Sequence, residues 1–156
     1  MTKTVYFAAG WFTPKQNAAY EQVMAAIKKN KTINDADSYV PLAHQYKGLR
    51  VDEHPELLED KEWQMATFNG DCVGIKSSDI FLCTYLPDEE DIGCGVALGL
   101  AKGLGKYIVL VIPDEDCGKP INLMSWGVAD TVIKVSELVD FDFNKPYYNF
   151  YEGAVY

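Results

Sequence analysis

Short apolar runs alternate along this chain with stretches of helical periodicity. The runs at residues 5–9, 80–86 and 107–112 lack polar alternation, which is typical of strands buried on both faces. Residues 38–42 and 132–135 are shorter strand candidates. The pattern predicts an α/β fold: a parallel sheet of about five strands, doubly wound with helices on both faces.

The helices between these runs carry their own start signals. A first helix is expected after Thr13, because Thr13 and Gln16 have capping-box spacing around a proline. Apolar residues that share one helical stripe predict a second helix, which runs through Trp63 and Asp71. A third helix is expected from about Asp91.

Composition narrows the functional classes. The 156 residues are 48% hydrophobic, which fits one domain spanning residues 1–156. A net charge of −9 argues against nucleic-acid polymers, whose binding relies on lysine and arginine. The four cysteines and two histidines show no zinc-ligand spacing, and no apolar run is long enough for a membrane span. We expect a cytoplasmic protein with reduced thiols and no metal or other cofactor.

Residues 87–97 are the strongest candidate for a ligand site. Four consecutive acids lie where a central strand gives way to a glycine-containing helix, the place where open α/β sheets bind ligands. Neither the GxGxxG nor the GxxxxGK[ST] motif is present, which argues against NAD and phosphate-loop chemistry. A magnesium site is also disfavoured, because magnesium enzymes usually present the ion to phosphate and no phosphate-binding basic motif accompanies these acids. The acids are therefore either a solvated helix start or, with Asp91 as the best candidate, ligands of sugar hydroxyls.

Three further features each leave two interpretations open. Gly95, Gly99 and Gly103 form one thin helix face, for which tight helix packing is favoured over close approach of a ligand. The aromatic pair after the first strand could stack on a flat ring, or Phe12 could pack in the core or against the start of the next helix as a hydrophobic staple. The aromatic C-terminal tail is expected to dock on its own domain or on a neighbour.

Several long and uncommon sequence segments are spread over essentially the whole chain. They are residues 6–12, 39–42, 45–48, 50–55, the acidic segment, 118–127 and 150–156. On these segments the chain resembles the nucleoside 2-deoxyribosyltransferases.

This resemblance implies a flavodoxin-like subunit in a homo-oligomer, usually a hexamer, whose sites are completed by a neighbouring subunit. It implies exchange of free nucleobases on 2-deoxyribonucleosides. In that family a glutamate attacks the anomeric carbon, the base departs, and a second base attacks the covalent deoxyribosyl-enzyme. Each displacement inverts the configuration of the anomeric carbon, so the two together retain it, as in retaining glycosidases.

The resemblance also suggests roles for individual residues. Ala97 stands at the position of the nucleophilic glutamate, and Tyr6 matches a tyrosine that positions it. Asp91 resembles the ligand of the sugar 3-hydroxyl, and Asp71 resembles the acid that faces and can protonate the base. The residues matched to the surroundings of the base are Trp11, Phe12, Gln45 and Trp63. Those matched to contributions from the adjacent subunit, or to a terminus near the site, are Asn122, Met124 and Tyr156.

Because the methyl group of Ala97 cannot attack carbon, this chain is expected to bind nucleosides but barely turn them over. The preferred hypothesis is an inactivated, substrate-trapping variant of an otherwise ordinary enzyme. A natural, non-catalytic nucleoside-binding protein ranks second, and replacement of the nucleophile by Glu89 or Glu90 ranks third. A same-fold N-glycosidase acting on deoxynucleoside monophosphates is a further alternative, although the sequence shows no cationic cluster for a phosphate.

Overall fold

The computed structural model describes residues 1–156 and is built on one parallel sheet. Its four strands are β1 (Val5–Ala8), β2 (Ile80–Thr84), β3 (Tyr107–Ile112) and β4 (Thr131–Lys134), side by side in that order. The predicted α/β class is confirmed. The two central strands are buried along nearly their whole length, in keeping with their continuous apolar sequence.

Five helices cover the sheet: α1 (Pro14–Lys29), α2 (Lys61–Ser77), α3 (Ile92–Gly103), α4 (Leu123–Val128) and α5 (Val135–Leu138). Helix starts follow the sequence signals. Thr13 and Gln16 form the predicted capping box, Asp60 caps α2 and Asp91 caps α3. Short 3₁₀ turns occupy much of the intervening loops, at residues 35–37, 41–43, 46–48, 55–59 and 114–116.

Alternating side chains of the strands build two cores, one on each face of the sheet. Val5 and Phe7 face the core shared with α1 and α5. Tyr6 and Ala8 face the other core, which includes Leu98 of α3. This alternation places Tyr6 on the side of the sheet that carries α2 and α3.

The expected fifth strand at residues 38–42 is absent, so the sheet has four strands rather than about five. Tyr39 pairs with β1 as an isolated bridge: its amide donates to Val5 O, and its carbonyl accepts from the amide of Phe7. Two residues later Pro41, which has no amide hydrogen, begins a 3₁₀ turn. The proline therefore ends the pairing before a strand can form.

The aromatic tail docks on its own domain. The amide of Ile121 donates to Ala154 O, and the amide of Tyr156 donates back to Ile121 O. The ring of Phe150 stacks on Trp126 with a centroid distance of 5.7 Å. These contacts place the C-terminus beside the start of α4. None of the helices combines the length and the apolar character needed to cross a bilayer.

Candidate active site

A cavity of about 450 Å³ lies beyond the carboxyl end of β1, between α2 and α3. Its walls are mainly apolar, and its carboxylates are Asp71 from α2 and Asp91 from the start of α3. Tyr6, Trp11, Phe12 and Ala97 also line it. A mainly apolar cavity of this size with a few converging polar groups is typical of a small-molecule site.

Asp71 is half-buried and points toward the aromatic floor of the cavity. The hydroxyl of Tyr39 donates a hydrogen bond to Asp71 Oδ1 over 3.2 Å. Burial raises the pKa of Asp71 to about 6, although the Tyr39 hydrogen bond and the nearby His44 both act to lower it. This carboxyl group therefore gains and loses a proton near neutral pH, as an acid catalyst must.

Asp91 combines the two interpretations of the acidic run. Its Oδ1 accepts a hydrogen bond from the amide of Cys94 over 2.7 Å and so caps α3. Its Oδ2 accepts no hydrogen bond from a protein N–H or O–H group, and the side chain lines the cavity beside the Cys94 thiol. One oxygen therefore stabilises the helix start, while the other remains able to accept a hydrogen bond from a ligand hydroxyl.

The other three acids of the run are engaged elsewhere. Asp88 pairs with Lys119 and, at 3.6 Å, with Lys15. Glu89 accepts a 2.5 Å hydrogen bond from the Thr13 hydroxyl. Glu90 accepts hydrogen bonds from the hydroxyls of Tyr85 and Tyr156, the latter over 3.1 Å. Of the four carboxylates, Asp91 alone lines the cavity that contains Ala97.

Tyr6 forms part of the cavity floor, and its ring is held by stacking. It lies between Tyr39 and Phe81 at centroid distances of 5.4 and 5.3 Å, and only 3% of the residue is exposed. Its hydroxyl makes no hydrogen bond to the protein. Burial and the nearby Asp71 raise the pKa of this phenol, so it remains a protonated donor.

The loop after β1 presents its aromatic side chains to the cavity. Phe12 is 69% exposed, which excludes the core role considered for it, and Trp11 lies beside it with a ring centroid distance of 5.4 Å. Gln16 fixes the position of the loop, because its Oε1 accepts a hydrogen bond from the amide of Phe12 over 2.9 Å. A Cβ at Gly10 would lie only 2.7 Å from the end of the Gln16 side chain, so a larger residue there would displace the amide group that holds the loop.

Two residues expected near the base lie outside this cavity. Gln45 is buried, and its Oε1 accepts the amide of Val51 over 2.7 Å. Trp63 is also buried, and its indole N–H donates to Leu49 O over 3.1 Å. Through these hydrogen bonds to the backbone, both side chains stabilise the segment that precedes α2.

Asn122 and Met124 lie across α3 from the cavity. They line a second depression of about 390 Å³, together with Glu90 and Asp91. Asn122 also caps α4, with its Oδ1 accepting the amide of Met124 over 2.8 Å. Glu90, which lines this depression, also accepts a hydrogen bond from the hydroxyl of Tyr156.

Several lining residues were missed at the sequence level, although helical spacing could have found them. Phe68 and Ile75 lie three residues before and four after Asp71, and both line the cavity. Cys94 and Leu100 lie three residues before and three after Ala97, and both also line the cavity. Each of the two helices contributes a stripe to the cavity, and a catalytic candidate lies within each stripe.

Comparison with known proteins decides the family. A family model described as "Nucleoside 2-deoxyribosyltransferase" matches residues 5–124, which include the acidic loop, both cavity helices and the cavity floor. The chain belongs to the nucleoside 2-deoxyribosyltransferase family. The resemblance inferred from the sequence segments is thereby confirmed.

Close relatives within the nucleoside 2-deoxyribosyltransferase family match along the full chain. The chain is 65% identical over 154 residues to a nucleoside deoxyribosyltransferase of Lactobacillus leichmannii, covering 99% of this chain and 98% of that protein. It is 64% identical to one from Lactobacillus johnsonii, covering 95% and 99%. A 2-deoxyribosyltransferase structure from Bacillus psychrosaccharolyticus, at 23% identity, shares the fold with a TM-score of 0.71 and coverage of 95% and 98%.

Proposed function

We propose that the cavity binds 2-deoxyribonucleosides and free nucleobases, and that its architecture serves transfer of 2-deoxyribose between bases. The supporting observation is that one cavity joins Asp71, Asp91 and Tyr6 to the position of Ala97. In this assignment the free oxygen of Asp91 accepts the sugar 3-hydroxyl. Asp71 faces the base, and Trp11 and Phe12 stack against it.

We further propose that this chain lacks the nucleophile of the reaction. A glutamate at position 97 would extend its carboxylate into the cavity and form a covalent deoxyribosyl-carboxylate intermediate, whereas alanine offers only a methyl group. Glu89 and Glu90 are held by Thr13 and by two tyrosines, and neither lines this cavity. Their existing contacts argue against either one replacing the missing carboxylate.

Two other functions remain as competitors. A non-catalytic nucleoside-binding protein is favoured by Ala97 itself, since such a protein needs no nucleophile. An N-glycosidase of deoxynucleoside monophosphates would need cationic groups for the phosphate, but no lysine, arginine or histidine lines the cavity. The two carboxylates there would repel a phosphate.

A binding comparison tests the choice of substrate. Deoxyadenosine is expected to bind at least about ten-fold more tightly than its 5-monophosphate, because the cavity offers carboxylates and no cations. Isothermal titration calorimetry of the chain with each compound measures the ratio. Tighter binding of the monophosphate would contradict the transferase assignment in favour of the N-glycosidase.

We also propose a homo-oligomer, with a hexamer as the expected size, in which a neighbour covers α3. Ile92 and Val96 of this helix, and Leu104 at its C-terminal cap, have 85%, 63% and 42% of their surfaces exposed. A Cβ at Gly95 or Gly99 would meet nothing within 4 Å, so the predicted tight packing of this glycine face does not occur within the chain. The face continues directly into the cavity, so a second copy seated there would also help to complete the site.

A charge placed on this face should disrupt assembly. The double variant Ile92→Lys/Leu104→Lys is expected to shift the chain to a smaller species, because lysine ammonium groups would be buried between copies. Size-exclusion chromatography with light scattering gives the mass of each species. Ala18→Lys, on exposed α1 across the sheet, is the matched control and should leave the mass unchanged. Equal masses for the two variants would place the interface elsewhere.

A further inference from the structure

Ala97 leaves an open space where a longer side chain would reach into the cavity. Its Cβ lines the cavity one helical turn after Cys94. A glutamate here would add a methylene and a carboxylate, which are absent from this chain. The missing volume is comparable to that of a small free anion such as formate or azide.

The surroundings of this space can receive an anion. The buried hydroxyl of Tyr6 lines the same cavity, makes no hydrogen bond to the protein and remains protonated. A phenol in this state donates a hydrogen bond to an anionic partner. The hydroxyl is therefore available to a ligand, since no protein group accepts a hydrogen bond from it.

Two carboxylates oppose the entry of an anion, but their repulsion is limited. Asp91 caps α3, so the positive end of the helix dipole partly offsets its charge. Asp71 has a pKa raised to about 6 by burial, so its charge is partly lost at pH 6 and increasingly lost below that pH. Cys94, on the same wall, has a pKa raised by its contact with Cys83 and by burial, so it remains a neutral thiol.

We propose that the space beside Ala97 admits a small external anion, of the azide or formate class, which attacks the anomeric carbon of a bound deoxyribonucleoside in place of the absent carboxylate. This activity rests on the proposed function, because it requires the sugar to lie over position 97. It would make the chain an anion-dependent deoxyribosyl transferase rather than an inert binder.

The bonds and charges balance in a single displacement. A lone pair of azide nitrogen forms a bond to the anomeric carbon as the bond from that carbon to the base breaks. The bonding electrons leave with the base, which takes a proton from Asp71 or solvent. The products are the free base and 2-deoxyribosyl azide with an inverted anomeric centre. Formate would give the 1-formyl ester, from which a second base can displace formate and re-form a nucleoside.

The test uses the unmodified chain with deoxyadenosine at pH 6. Sodium azide is expected to increase adenine release by about ten-fold or more, with saturation, because it supplies the missing nucleophile. Chromatography measures adenine, and mass spectrometry detects deoxyribosyl azide. Sodium chloride at the same ionic strength is the salt control and should give no increase. An equal response to both salts, or adenine release without the azide adduct, would overturn the proposal.

Two variants test the location of the anion. Ala97→Val fills the space without supplying a nucleophile and is expected to abolish the azide response while deoxyadenosine still binds. Tyr6→Phe removes the donor and should raise the azide concentration needed for half-maximal rate. An undiminished response in Ala97→Val would place the reaction elsewhere. If Ala97→Glu exchanges bases but azide yields no adduct in the parent chain, only this inference fails; if Ala97→Glu is also inactive, the proposed function fails.

Discussion

Ala97→Glu is expected to raise base exchange between deoxyinosine and adenine by at least about a thousand-fold, because removing a covalent nucleophile commonly costs more than this. The cavity has room for the longer side chain, and the free Tyr6 hydroxyl can donate to its carboxylate. The other proposed groups, Asp71 and Asp91, already lie in the same cavity. The substitution would therefore supply the one group that we propose this site lacks.

The measurement is the rate of deoxyadenosine formation, followed by chromatography. Ala97→Gln is the matched control, because it has nearly the same size as the glutamate variant but no carboxylate to form the ester. It should remain at the background rate. Acid quenching of the Ala97→Glu variant with deoxyinosine should also yield protein heavier by one deoxyribosyl group.

The two variants separate the competing functions. If Ala97→Glu binds deoxyinosine normally but exchanges bases no faster than the parent chain, a non-catalytic nucleoside-binding protein would be favoured. Exchange in both variants would show that a different group acts as the nucleophile. In that case Glu89 and Glu90, whose carboxylates are held by Thr13 and Tyr85 in this structure, would need to move.

The sequence predicted the parallel sheet because buried central strands leave a clear signal in continuous apolar runs. The helix starts were equally readable, since Thr13 and Gln16 interact locally. The fifth strand was mispredicted because Tyr39 does pair with β1, but Pro41 ends that pairing immediately. A local apolar pattern does not reveal whether one bridge will extend into a ladder.

For the site, sequence position alone could place Asp91 at the end of a strand but could not distinguish it from its three acidic neighbours. That distinction depends on partners distant in sequence, such as Lys119 for Asp88 and Tyr156 for Glu90. For the same reason, the place of Asp71 in a predicted helix did not show whether its side chain would be buried. Its contact with Tyr39 and its raised pKa arise only when α2 packs against Tyr39, which in turn pairs with β1.

Asp71→Asn in the Ala97→Glu background is expected to slow deoxyinosine cleavage by about a hundred-fold or more, a typical loss for a general acid. Burial raises the pKa of Asp71 to about 6, so the carboxyl is protonated below this pH and increasingly ionised above it. Since the departing base needs a proton, and the added carboxylate can only raise the pKa of Asp71 further, kcat for cleavage should fall as pH rises through about 6 or somewhat above it. Asparagine accepts the same Tyr39 hydrogen bond but cannot release a proton to the base, so this pH dependence should disappear.

The pH profile distinguishes proton donation from a merely structural role. Single-turnover cleavage should be measured between pH 5 and about 8 with deoxyinosine, and with a deoxynucleoside whose base departs without protonation. The Asp71→Asn loss should be large for the first substrate and small for the second, because only the first requires the acid. Asp35→Asn, an exposed carboxylate remote from the cavity, is the matched control and should leave both profiles unchanged. Equal losses for both substrates would assign Asp71 to positioning the nucleoside, leaving solvent to protonate the departing base.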